Sequence, residues 1–209
     1  RFAEEIRAFQ QQDRARPPTP GGILFTGSSS IRRWDLDRWF PGLGAINRGF
    51  GGSHVSDVLH YFDRLITPHQ PRTIVFYAGD NDIGSAKPPQ RVIQDTLQFI
   101  HRVDETLPQA RMIYMPIKPS VARWRLWSHI RQVNEALEAH ARTRPRLTYA
   151  DIVAPMLSSE GRPRPELFAE DSLHLSDQGY ALWTSIIAPL LGAPEDASDA
   201  SSPRPQRPA

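Results

Sequence analysis

The chain has 209 residues, a mass of 23.6 kDa and a formal net charge of +2, with 39% hydrophobic and 23% charged residues. That length suits one domain with a sizeable core, and the balance is that of a globular chain rather than a disordered one. The absence of cysteine excludes disulfides, thiolate zinc sites, iron–sulfur clusters and a cysteine nucleophile.

In chain order, an amphipathic stretch over 2–12 predicts a short helix, with a linker reaching residue 22. Ile23–Gly27 is the first apolar, β-rich run. Further runs follow at 45–48, 73–79, 111–117 and 147–152, and together they predict five buried strands. Between them lie helical patterns. The stretch 53–66 carries Val55, Val58, Leu59, Phe62, Leu65 and Ile66 on one face, with Ser53 as the expected N-cap. The stretches 88–107, 127–142 and 176–191 repeat the helical period, the last with Ser176 as its cap. The aromatic pairs Tyr61-Phe62 and Phe76-Tyr77 read as core. Residues 193–209 hold four prolines and nothing apolar larger than Ala, and read as a disordered tail.

Strands alternating with helices pair in parallel through right-handed crossovers. The expected fold is therefore α/β: a three-layer α/β/α sandwich on a five-stranded parallel sheet in flavodoxin-like order, one domain over 1–192. No apolar run approaches the ~18 residues of a membrane helix, so no integral membrane segment is expected. The basic residues are nearly all Arg, with Lys only at 87 and 118, and are spread along the chain. That leaves no nucleic-acid footprint. The chain begins at Arg1 without Met. Removal of a signal peptide would fit this, and with it a periplasmic or secreted location.

In open parallel sheets, ligands bind beyond the carboxyl ends of the strands. After the first strand comes Gly27-Ser28-Ser29-Ser30, hydroxyls at a strand-to-helix turn where a helix N-terminus favours developing negative charge. Plain N-capping explains the same serines. After the second comes Gly49-Phe50-Gly51-Gly52, which frees backbone N–H groups to face a ligand, or simply makes a tight turn. After the third comes Gly79-Asp80-Asn81-Asp82, where an amide can donate to an oxyanion or form an Asx turn. Before the last helix, Asp171 stands three residues ahead of His174. That spacing lets a carboxylate hold Nδ1–H and turn Nε2 into a base. Each signal is weak alone. Together they supply a hydroxyl, a base, an orienter and oxyanion donors at one sheet edge, the parts of an acyl-transfer site.

Over about residues 23–191 the sequence resembles the SGNH hydrolases, also called the GDSL esterase/lipase superfamily. Gly27-Ser28-Ser29 with Trp34 matches the first block, Gly52 the second, Gly79-Asp80-Asn81-Asp82 the third, and Asp171 with His174 the last. The resemblance implies a catalytic triad of Ser29, His174 and Asp171. It implies an oxyanion hole from the Ser29 N–H, the Gly52 N–H and the Asn81 amide. It also implies hydrolysis of carboxylic esters, probing toward short acyl groups such as acetyl because the chain shows no long apolar lid. Acylated carbohydrates, lipids and small esters are the implied substrates, with lysophospholipase or thioesterase action as the alternative, and no cofactor or metal is needed. Ser28 stands where the family usually has Asp. Ser28 and Ser30 are rival nucleophiles, and register with Gly27 and Trp34 favours Ser29.

Other residues carry looser readings. Arg123, Trp124 and Trp127 follow the fourth strand at the same edge and are candidates for the substrate wall, or for packing the loop onto the body. His54, Asp57 and His60 share a helix, but their spacing gives poor metal geometry. A flavodoxin-like phosphate or flavin binder would use the hydroxyl-rich loop 26–30 and leave Asn81, Asp171 and His174 without work. A non-catalytic carbohydrate-binding relative would not need the full set.

Overall fold

The computed structural model describes residues 1–192; the 193–209 segment expected as a tail lies outside the described residues. Five strands form one sheet: β1 (Ile23–Gly27), β2 (Ile46–Gly49), β3 (Thr73–Tyr77), β4 (Arg111–Tyr114) and β5 (Leu147–Tyr149). Their order is β2-β1-β3-β4-β5, and every neighbouring pair is parallel. This is the flavodoxin-like order expected from the alternating pattern. The chain steps outward from β1 to β2, then returns past β1 to β3 and continues the other way.

That reversal sends the connecting helices to opposite faces, as right-handed crossovers require. On one face Ile23, Phe25, Val75, Tyr77 and Ile113 pack with α2 (Ser29–Arg32), α3 (Leu36–Trp39) and α9 (Asp177–Leu191). On the other, Leu24, Ile74, Phe76, Met112 and Tyr114 pack with six further helices. These are α1 (Ala3–Ala15), α4 (Val55–His60), α5 (Phe62–Leu65), α6 (Asp80–Gly84), α7 (Pro89–Thr106) and α8 (Trp127–Ala141). Strand residues alternate between the two cores because successive side chains leave a strand on opposite sides. Central strands buried on both faces explain why β1 and β3 read as continuous apolar runs. Trp34, Trp183 and Tyr77 fill the first core.

Two expectations are corrected. The helix expected over 53–66 is broken at Tyr61 into α4 and α5, followed by a 3₁₀ turn at Thr67–His69. Its N-cap is His54 rather than Ser53. The Ser53 hydroxyl is buried and donates instead to the carbonyls of Gly27 at 3.2 Å and Phe50 at 2.9 Å. Asp57 completes the start of α4 by accepting the His54 N–H at 2.8 Å. At the last helix Ser176 does cap, its Oγ accepting the Gly179 N–H at 3.2 Å. Among the described residues no helix is long and apolar enough to cross a membrane.

Candidate active site

β1 ends at Gly27, whose φ of +136° and contact with β3 admit no side chain: a Cβ there would stand 1.8 Å from the Tyr77 carbonyl oxygen. The Ser28 N–H donates to that same carbonyl at 3.0 Å. The chain therefore leaves the sheet sharply, and α2 begins at Ser29. Ser28 and Ser30 are buried at 2% and 1% exposure, so of the three serines only Ser29 opens toward the surface.

The Ser29 hydroxyl meets His174. Its Oγ lies 3.0 Å from Nε2, across 145 residues of sequence. On the far side of the ring, Nδ1 lies 2.5 Å from Asp171 Oδ2. The other Asp171 oxygen accepts the backbone N–H groups of Leu173 at 3.0 Å and His174 at 2.9 Å. The hydrogen bond from His174, helped by these amides, holds the Asp171 carboxyl far below the usual carboxylate range. Between them Ser172 takes a left-handed φ of 56°, an uncommon conformation for a residue with a side chain. It bends the loop so that carboxylate and imidazole meet. The Ser172 carbonyl accepts the Ala122 N–H at 3.0 Å, tying this loop to the one after β4.

The loop after β2 is stitched to the end of β1. Phe50 N–H and Ser53 Oγ both donate to the Gly27 carbonyl. Gly52, at φ +73°, lies within this stitched loop. Among the described residues neither the Ser29 N–H nor the Gly52 N–H has an acceptor. Asn81, on the first turn of α6, donates from Nδ2 to the Ser53 carbonyl at 3.1 Å. Direct contacts join Ser29, His174 and Asp171, while Gly52 stands in the loop after β2 and Asn81 reaches that loop through the Ser53 carbonyl; all five lie at the ends of β1, β2 and β3 or in the loop before α9. These ends flank the switch point between β1 and β3.

The loop after β4 divides. Arg123 turns inward, its guanidinium on Asp80 and, at 3.3 Å, on Asn81 Oδ1. Trp124 and Trp127 stack on each other at 5.2 Å with Arg162 over Trp124. Trp127 also lines a groove of about 280 Å³ with Tyr149, Asp151 and Leu157. Two buried charged groups near the site were not singled out in the sequence. Lys118 is 1% exposed and donates to Asp80, Tyr77 and Ser30. Asp82 is fully buried, accepting the Val55 N–H at 3.1 Å and Lys87 Nζ at 2.5 Å. Their signal was present but faint: Lys118 and Lys87, the partner of Asp82, are the chain's only two lysines. Among the described residues no cluster of His, Asp or Glu could hold a metal ion, His54, Asp57 and His60 included.

Residues 22–182 match the model of the GDSL-like Lipase/Acylhydrolase family. The chain belongs to that family. Membership places it among the acylhydrolases and agrees with the SGNH resemblance of its sequence blocks. Among solved structures, a GDSL-like lipase from Bacteroides thetaiotaomicron is 18% identical with a TM-score of 0.79, covering 89% of this chain and 96% of that one. A catalytic mutant of Axe2, an acetylxylan esterase from Geobacillus stearothermophilus, is 14% identical with a TM-score of 0.67, covering 83% and 95%. At these identities the likeness is one of fold. No curated protein matches the chain.

Proposed function

We propose that this GDSL-family member is a serine esterase that cleaves carboxylic esters of short acyl groups, acetyl first among them. One observation carries the reading: Ser29 Oγ, His174 Nε2 and Nδ1, and Asp171 Oδ2 form one chain of contacts at 3.0 and 2.5 Å. That is the arrangement in which a base activates a hydroxyl and a carboxylate orients the base.

As Ser29 Oγ attacks the ester carbonyl carbon, His174 Nε2 takes its proton. Asp171, already ionised, faces the imidazolium that forms. Negative charge gathers on the former carbonyl oxygen, where the Ser29 N–H, the Gly52 N–H and the Asn81 amide can donate to it. Collapse breaks the bond to the alcohol, which leaves with the proton from Nε2. Water then attacks the acyl-serine and gives a proton to His174. The second collapse releases the carboxylic acid and restores the Ser29 hydroxyl. The acetyl preference rests on the absence, among the described residues, of a long apolar lid, and an acetylxylan esterase shares the fold.

Turnover of chromogenic esters of increasing acyl length tests the reading. Acetate esters are expected to be cleaved fastest. Ser29→Ala is expected to lose at least about 10³-fold in kcat while keeping its melting temperature, because the attacking atom is gone. Ser28→Ala and Ser30→Ala keep substantial activity. A fully active Ser29→Ala, or a dead Ser28→Ala beside it, would move the nucleophile elsewhere.

A further inference from the structure

The amide of Asn81 has one oxygen and two N–H donors. One N–H is committed to the Ser53 carbonyl at 3.1 Å, and the oxygen accepts from Arg123 Nη2 at 3.3 Å. Rotating the amide by half a turn would set its oxygen against the Ser53 carbonyl and its NH₂ against a cation. Arg123 therefore decides which way the amide faces, and leaves its second N–H uncommitted.

The guanidinium is held in turn. It pairs with one oxygen of the buried Asp80, while the other oxygen accepts Lys118 Nζ at 2.5 Å and the Tyr77 hydroxyl at 3.4 Å. Lys118 spends its remaining donors on the Tyr77 hydroxyl at 3.0 Å and Ser30 Oγ at 3.3 Å. All three ammonium protons have acceptors, as a buried lysine needs. The contacts run without a break from Asn81 through Arg123, Asp80 and Lys118 to Ser30, the neighbour of Ser29. Space is reserved for them as well. A Cβ on Gly84 would stand 2.6 Å from the Arg123 guanidinium carbon.

We infer that Arg123 is a positioning residue for the oxyanion donor Asn81, held to its task by the buried Asp80–Lys118 pair, rather than a contact for the substrate. The inference rests on the esterase reading above. An arginine aimed at substrate would leave its fork free for a ligand; this one has its fork on Asp80 and Asn81.

The test is a double-mutant cycle between Arg123 and Asn81, read as kcat and KM on a chromogenic acetate ester. Arg123→Lys keeps a positive partner for Asp80 but cannot hold Asp80 and Asn81 together in one fork. It is expected to keep the melting temperature near wild type yet lower kcat about 10- to 100-fold, the scale of a misplaced catalytic group, with KM nearly unchanged. In an Asn81→Ala background the same substitution should change kcat less than about twofold, because its effect passes through Asn81. An additive loss, or a loss confined to KM, would overturn the inference and return Arg123 to the substrate wall. Ser29→Ala, run alongside, tests the esterase reading separately. The side-chain amide resonances of Asn81 decide the positioning independently of turnover. They should shift and lose exchange protection in Arg123→Lys; unchanged resonances would refute it.

Discussion

At the scale of single residues, Asn81 separates an oxyanion role from a turn role. Asn81→Ala removes one preorganised donor, which typically costs about 10²–10³ in kcat. The donor acts as charge develops, so KM should change far less. Asn81→Asp is expected to be at least as damaging, since a carboxylate would repel the oxyanion and set an oxygen, with no donor, against the Ser53 carbonyl. If the residue only shaped the start of α6, Asp would be tolerated and Ala would act on stability. Kinetics of the two variants beside their melting temperatures decide between these. The two lysines carry a related lesson. All but two of the 25 basic residues are Arg, and the exceptions sit at buried carboxylates, Lys118 on Asp80 and Lys87 on Asp82 and Asp95. A compact ammonium gives three donors from one point, which suits these sites better than a planar fork.

At the scale of elements, the turn from β1 into α2 sets the nucleophile's place. Gly27→Ala would drive a methyl into the Tyr77 carbonyl at 1.8 Å. Gly161 also has a positive φ, at +70°, but a Cβ there meets nothing within 4 Å. Gly161→Ala should therefore cost only the backbone strain, about 1–2 kcal/mol. Gly27→Ala should cost clearly more and abolish activity even where the chain still folds. Equal melting temperatures for the two would show that β1 and β3 can part locally. The strands and most helices were legible in the sequence because their burial follows simple periods, as at 23–27 and in α7, where Val92, Phe99, Ile100 and Val103 face the core. The break at Tyr61 was not. Val55, Val58, Phe62 and Leu65 all remain buried on either side of it, so the apolar pattern runs through unbroken, and no Gly or Pro marks the place. Ser53 was misread as a cap because its better acceptors, the carbonyls of Gly27 and Phe50, come from loop geometry rather than local sequence.

At the scale of the whole molecule, the sheet order gathers residues that lie far apart in the chain. The four blocks could be read in sequence because each stands where a strand ends or a helix begins. Arg123 and Lys118 could not be placed, since a loop arginine reads as a ligand contact and a lysine as surface. Their partner Asp80 is 43 and 38 residues away. The fold also sets a pH dependence. Asp80 is buried, which alone would raise its pKa, but Lys118 and Arg123 outweigh this and hold it below the ordinary value; Asp171 is depressed by His174. A depressed carboxylate adds stability above its unfolded pKa, near 3.9, and that stability is lost as pH falls through the folded value. His69 acts in a higher window. Burial lowers its pKa against the pull of Asp13, so the unfolded chain takes up a proton first as pH drops below about 6.5. Melting temperatures should decline gently from pH 7 to 5 and steeply below 4, and His69→Gln should reduce the gentle part, the rest coming from His140, which burial also depresses. A protein more stable at pH 5 than at pH 7 would contradict both signs. Asp171 is held ionised by His174 and the backbone amides far below the usual carboxylate range, so it should add no acid limb to the activity profile.

The most direct test of the esterase reading is the site of covalent trapping. An activated serine displaces fluoride from a fluorophosphonate, and the tetrahedral phosphonyl-serine that forms is a stable mimic of the tetrahedral intermediate. The labelled protein is digested and the modified residue located by mass spectrometry, while residual ester hydrolysis is followed in parallel. The predicted result is a single adduct on Ser29 that grows as activity falls, and no adduct in His174→Ala. An adduct on Ser28 or Ser30, or inactivation with Ser29 unmodified, would contradict it.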